Sequence, residues 1–478
     1  MASLWGCGSA YAGGSRRNSM PSPLQERASG GSMTIRSWRA EAPEHYEHEQ
    51  VMTHSFPAGF LWGTATAAHQ VEGQNSNNQW WDWEQQPGRI WRSATSAHAC
   101  GWWHTIEPDL DRAVALGQNA HRMSIEWSRI EPEDGRFDGA AIARYRDMLG
   151  AMRQRGITPM ITLHHFTNPR WLEAIGGWLH PDTPRRFARF AAYAVAALGD
   201  LCQLWCTINE PNVYATLSYL VGIFPPGRTR LVEALRVVVS MLRGHAAAVA
   251  AIRAVNPSLS VGMVHQLRIF EPASQSRADV AVAALYDYLF NGAVLGALAT
   301  GRIGPPFTSG VRALPGLRGS FDFVGLNYYT RERVAFDRRS PGTLFGRLFT
   351  PANVPQSDAG STGRTFGEIY SEGLYRALGR VARLGRPIYV TETGLPDADD
   401  DQRPGFILSH MRAVHGALRD GIDVRGVFLW TLVDNFEWAE GWGLRFGLYA
   451  LNEQTGVREL RPSGALYALI AQRNALPT

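Results

Sequence analysis

The feature that most constrains the fold is an alternation. From Phe56 onward, short runs rich in β-branched and aromatic residues recur, and longer amphipathic stretches separate them. The strand-like runs lie near residues 60–66, 120–125, 157–163, 204–208, 259–266, 321–327, 387–391 and 424–432, and helical patterns lie at 139–154, 184–198, 230–254, 279–299, 371–384, 404–420 and 462–473. A strand that is followed by a helix leads back to a parallel strand, and eight such units in succession suffice to close a sheet on itself. The pattern predicts an α/β chain folded as a single (β/α)8 TIM barrel. Length alone would divide 478 residues into about three domains, but no compositional break marks a second one. In such a barrel the active site sits where the carboxyl ends of the strands converge.

Residues 1–52 stand outside this pattern. They are rich in Gly, Ser, Arg and Glu, carry no sustained period, and balance five Arg against five acidic residues up to position 50. The expectation is a disordered N-terminal extension over 1–52 and a catalytic barrel over 53–478. The run Glu44-His45-Tyr46-Glu47-His48-Glu49 has ligand-type residues but reads as a solvated tail, and Met20, Met33 and Met52 are alternative starts. The stretch 331–370, rich in Gly, Pro and Ser, is too long for a simple connection and is expected to wall a cleft.

Composition narrows the chemistry. The chain contains no lysine, so all 47 basic residues are arginine. Schiff-base catalysis, a lysine-bound pyridoxal group and a phosphate loop ending in Gly-Lys-Ser/Thr are thereby excluded. A net charge of +4 gives no single-sign field for nucleic acid or an acidic membrane surface. No apolar run reaches about 18 residues without charge, and no apolar segment of a secretory signal opens the chain. The four cysteines, Cys7, Cys100, Cys202 and Cys206, are too few for a disulfide framework and point to a reducing, cytoplasmic setting. Cys202 and Cys206 have metal-like spacing without a second pair, which reads as buried free thiols. With no His-Glu-x-x-His pattern either, neither a metal nor another cofactor is expected. The 16 Trp, 15 Tyr and 20 Phe suit either sugar rings or a large core. The indoles at 80, 81, 83, 91, 102 and 103 could serve in both ways.

Polar residues gather where the strand-like runs end. The fourth run, Leu204-Trp205-Cys206-Thr207-Ile208, ends in Asn209-Glu210-Pro211, and the seventh, Pro387-Ile388-Tyr389-Val390-Thr391, ends in Glu392-Thr393-Gly394. A barrel would bring Glu210 and Glu392 to the same mouth, the arrangement that two-carboxylate glycoside chemistry requires. Of the neighbours His164 and His165, strand alternation turns only one toward the mouth, and His121 reads as structural.

The pattern Thr-x-Asn-Glu-Pro followed by Thr-Glu-x-Gly resembles glycoside hydrolase family 1. The match continues in Phe60-Leu61-Trp62-Gly63-Thr64-Ala65 with His69-Gln70-Val71-Glu72-Gly73, in Arg122-Met123-Ser124-Ile125-Glu126-Trp127, in Leu163-His164-His165-Phe166, in Gly325-Leu326-Asn327-Tyr328-Tyr329-Thr330, and in Phe428-Leu429-Trp430 through Asn435-Phe436-Glu437-Trp438. It spans about 56 to 474. The resemblance implies a retaining β-glycosidase that hydrolyses terminal non-reducing β-D-glucosides, and also galactosides or fucosides, with β-linked glucosides or short oligosaccharides as substrates. It assigns Glu210 as general acid/base and Glu392 as nucleophile. It further assigns Gln70, His165, Asn209, Glu437 and Trp438 to sugar hydroxyls, Trp430 to the ring's underside, and Arg122 and Tyr329, with Asn327 beside them, to support of the nucleophile. Two departures stand out: Thr393 where the family usually has Asn, and Phe166 where it often has Trp. A transglycosidase and a non-catalytic sugar-binding homologue are the alternatives; retention of both glutamates argues against the second.

Overall fold

The computed structural model describes residues 54–477, so the expected tail over 1–52 and Cys7 lie outside the described residues. Eight parallel strands form a closed barrel: β1 (Leu61–Ala65), β2 (Ala120–Ser124), β3 (Thr158–His164), β4 (Leu204–Asn209), β5 (Ser260–Pro272), β6 (Phe323–Phe336), β7 (Ile388–Thr393) and β8 (Val424–Leu429). Each pairs in sequence order with the next, and β8 returns to β1. Every expected strand is present. The strands are buried on both faces, which is why they read as nearly continuous apolar runs; in β4, Trp205, Cys206, Thr207 and Ile208 are all buried. Close approach between neighbouring strands also demands small residues. A Cβ on Gly262 of β5 would lie 2.6 Å from the Phe323 ring of β6.

An outer ring of helices follows: α1 (Glu107–Ala115), α2 (Gly139–Gln154), α3 (Thr183–Leu198), α4 (Leu231–Val255), α5 (Arg277–Asp287, continuing through Tyr288–Gly292 to Ala293–Thr300), α6 (Ser371–Ala382), α7 (Arg403–Arg419) and α8 (Pro462–Arg473). The Asp138 carboxylate caps α2 by accepting from the Ala140 amide at 2.7 Å. Helix α4 turns Val237, Met241, Leu242 and Val249 inward and packs along α3. At the foot of the barrel His54–Ser55 pairs antiparallel with Ala475–Leu476, joining the two ends of the described chain.

Three features depart from the sequence reading. Helix α1 was not expected, although Pro108 in its first turn and Gly117 at φ 73° mark its ends. The helix expected over 279–299 widens into a π turn at Tyr288–Gly292. Strands β5 and β6 run beyond 266 and 327 and stay paired as far as Pro272 and Val334, after which Gly346–Phe349 folds back antiparallel on β6. Part of the 331–370 stretch is therefore sheet, and its remainder borders the cleft as expected.

Candidate active site

The carboxyl ends of the strands open into a cavity of about 410 Å³. Of the residues singled out from sequence, His165, Glu210, Tyr329, Glu392, Trp430, Glu437 and Trp438 line it. Gln70, Arg122, Asn209 and Asn327 are fully buried behind that lining and hold it in place through hydrogen bonds.

Glu392 ends β7 and receives a donor on each oxygen. Arg122 Nη1 donates to Oε1 at 2.5 Å, and the Tyr329 hydroxyl donates to Oε2 at 2.7 Å. The guanidinium is itself fixed, because Nη2 donates to Asn209 Oδ1 at 2.7 Å and Nε to Thr162 Oγ1 at 3.0 Å. Four strands besides β7 thus contribute to one carboxylate, and both donors favour its anion.

Glu210 follows β4 in the left-handed region, at φ 47° and ψ 63°, directly before Pro211, which opens the short helix Pro211–Thr216. A non-glycine residue there stores about 1–3 kcal/mol of strain, and the Glu210 amide offsets part of it by donating to Val264 O at 2.9 Å. The bend turns the carboxyl into the cavity, where Asn327 Nδ2 donates to Oε1 at 2.7 Å. Burial, and next the charge of Glu392, push the Glu210 carboxyl well above the usual range, and the Asn327 bond acts against them. The mouth therefore holds two unequal carboxyls, one pushed up by burial and its neighbour and one that accepts from a guanidinium and a phenol.

The remaining lining suits a polyhydroxylated ring. Glu437 Oε2 accepts from Gln70 Nε2 at 3.1 Å and from Trp430 Nε1 at 3.3 Å. Burial pushes its carboxyl up to about 8. The His165 and Trp430 rings lie 5.9 Å apart. Burial holds His165 far below 6.5, hence neutral. Asn209 Nδ2 lies 3.2 Å from His165 Nε2, which assigns acceptance to Nε2 and the proton to Nδ1. Neither His165 Nδ1 nor Gln70 Oε1 has a protein partner among the described residues. A buried donor and a buried acceptor beside a cavity are positioned to bind hydroxyls.

Other expectations also meet their outcome here. His164 turns away from the cavity, bonding Asn168 at 3.0 Å and Trp178 at 3.1 Å, and His121 sits between the hydroxyls of Thr64 and Thr66. Cys202 and Cys206 are buried free thiols, with burial pushing Cys206 up to about 11. None of the indoles from 80 to 103 lines the cavity; Trp80 packs 4.7 Å from Trp438 behind it, and Trp102 donates to Asp109. Thr393 is buried and does not border the cavity, whereas Phe166 does. Sequence reasoning missed Gln266 and Arg268 on β5 and Glu332 on β6, all of which line the cavity; two polar residues at alternate positions just beyond the apolar run 261–264 were the available signal. Outside the cavity, Asp397, Asp399 and Asp401 bring carboxylate oxygens within 4.8 Å of one another in the loop after β7, three carboxylates with no other ligand type among them.

The family model described as Glycosyl hydrolase family 1 matches residues 52–476. Beta-glucosidase A of Thermotoga maritima is 31% identical over 88% of this chain and 98% of its own length. A beta-galactosidase of Sulfolobus acidocaldarius is 30% identical over 88% and 96%. The solved structure of a beta-glycosidase from Pyrococcus horikoshii superposes with a TM-score of 0.81 at 35% identity, covering 89% of this chain and 96% of that one.

Proposed function

The chain belongs to glycosyl hydrolase family 1, and on that premise we propose that it is a retaining β-glycosidase, a β-glucosidase that also accepts galactosides and fucosides. The observation that carries this reading is the inequality of the two carboxyls: Glu392 receives a cation and a phenol, while burial and a neighbouring anion keep a proton on Glu210. An oxygen of Glu392 attacks the anomeric carbon as the glycosidic bond breaks, and Glu210 gives its proton to the departing oxygen. Water then attacks the glycosyl-enzyme, its proton passes to Glu210, and Glu392 leaves as a carboxylate. Arg122 and Tyr329 stabilise the anion at the start and end of each cycle.

Glu437, Gln70, His165 and Trp438 bind the hydroxyls, with Trp430 below the ring. The two oxygens of Glu437 can follow a C4 hydroxyl whether it is equatorial or axial, which supports acceptance of both glucosides and galactosides. Relatives named for each activity lie at similar identity. The same carboxyl disfavours 6-phosphorylated sugars, since its partners among the described residues are the neutral side chains of Gln70 and Trp430 and a phosphate placed there would meet no bonded cation. The enzyme works in a reducing, cytoplasmic setting, in keeping with its buried free thiols.

The test is kcat/KM on aryl β-glucoside, galactoside, fucoside and 6-phosphoglucoside. We expect turnover of the first three, with the phosphorylated sugar the poorest. Preference for the phosphorylated substrate would overturn the assigned pocket, and no turnover of any would favour a non-catalytic homologue.

A further inference from the structure

Strands β5 and β6 leave the barrel rim together, and at the rim their pairing is irregular. Leu267 faces Tyr328 and Ile269 faces Arg331, so Tyr329 and Thr330 on β6 stand opposite Arg268 alone on β5. This β-bulge shifts the alternation of β6 by one position. Tyr329 points to Glu392, and beyond the bulge it is Glu332, not Arg331, that joins it in lining the cavity. Arg331 turns aside to Glu271, Glu368 and the Tyr370 ring.

Arg268 is held from the other side of the bulge. Its amide donates to Asn291 Oδ1 at 3.1 Å and its carbonyl accepts from Asn291 Nδ2 at 2.7 Å. Asn291 lies in the π turn of α5 and also donates to Asp287, which pairs with Arg380. The bulge and the π turn together fix one side chain: Arg268 Nη1 donates to Glu332 Oε1 at 2.9 Å, with both residues more than nine-tenths buried. Arg268 and Glu210 lie close enough for each charge to act on the other.

A buried ion pair is a poor source of stability, because desolvation offsets most of its attraction. Here it borders the reaction cavity beside Gln266, whose buried Oε1 has no protein partner among the described residues. Ile223, Phe224, Phe349 and Phe366 supply apolar surface to the same cavity. We infer that Arg268 and Glu332, with Gln266, form a subsite for a second sugar residue, the leaving-group sugar of a β-linked disaccharide. A cation and an anion side by side donate to and accept from neighbouring hydroxyls of one ring, and the apolar surface receives its C–H faces. An anionic leaving group would meet the carboxylate of Glu332, which already pairs with Arg268, and a plain aryl group would leave the buried polar atoms without partners. This assignment rests on the glycosidase reading above.

The experiment compares kcat/KM for 4-nitrophenyl β-glucoside with that for β-1,4-, β-1,3- and β-1,6-linked glucose disaccharides, in wild type, in Glu332→Gln, and in the double variant Arg268→Met/Glu332→Leu, which leaves neither charge buried alone. Wild type should cleave the aryl glucoside and at least one disaccharide. In the double variant the ratio of disaccharide to aryl specificity should fall about 10- to 100-fold, and in Glu332→Gln by less, as expected for losing hydrogen bonds to charged groups. If wild type cleaves the aryl glucoside but no disaccharide, or if the variants lower both substrates equally, the subsite is refuted and the pair is structural. If wild type cleaves neither class, the glycosidase reading itself falls.

Discussion

Glu437 should reduce stability in return for sugar recognition, and pH makes this measurable. Its carboxyl is pushed up to about 8 by burial, whereas in the unfolded chain it returns to the ordinary 4.5. Between those pH values the folded protein holds a proton that the unfolded chain releases. A raised carboxyl therefore opposes folding, by nothing below about pH 4.5 and in full above about pH 8. Without screening, that interval converts to about 5 kcal/mol; Glu437 is only half-buried and faces the open cavity, so water screening cuts the figure to roughly 2–3 kcal/mol. Glutamine keeps the shape and does not titrate. Thermal unfolding of wild type and Glu437→Gln at pH 4.5, 7 and 8.5 should give nearly equal Tm at the lowest pH, with the variant ahead by roughly 2–6 °C at the highest. The variant should meanwhile lose roughly tenfold or more in kcat/KM on aryl β-glucoside, because its amide puts an NH2 donor where the carboxyl presented a second oxygen to the sugar hydroxyls. A Tm difference independent of pH, or one favouring wild type at pH 8.5, would refute the reasoning.

Glu392→Gly should abolish turnover of aryl β-glucosides, and azide should partly restore it while forming the α-glycosyl azide, identified by NMR; undiminished activity would remove the nucleophile assignment. In Glu210→Ala, first-step rates should fall far more for poor leaving groups than for acidic phenols, so equal losses across a leaving-group series would count against the acid role. Deleting residues 1–50 should leave kcat/KM and Tm nearly unchanged, since that segment offers no periodic apolar face; a large drop in Tm would show that it docks on the barrel.

The barrel was legible because parallel strands buried on both faces must be apolar runs, and all eight were found to within a few residues wherever they stay inside the wall. Legibility failed where the wall ends. Beyond Gln266 and Asn327 the strands β5 and β6 carry Arg268, Glu271, Arg331, Glu332 and Arg333, charges that resemble a loop but pair across the sheet, Glu271 with both Arg331 and Arg333. The bulge there also breaks the period of two on which strand reading relies. The π turn in α5 was hidden for a related reason, since one widened turn hardly alters a helical pattern. In the candidate site, Glu210, Glu392 and the residues around them were found through motif resemblance. Arg268 and Glu332 were not, because their importance arises only when a bulge and an asparagine on another element turn them toward the same cavity.

The central claim is that Glu392 forms a covalent glycosyl-enzyme, so that two displacements at the anomeric carbon restore the starting configuration. Proton NMR of the first sugar released from an aryl β-glucoside, recorded before mutarotation, tests it most directly. The β-anomer should form first and the α-anomer appear later, at the spontaneous rate. An α-anomer formed first would mean a single displacement by water, and would contradict the role of Glu392 as nucleophile.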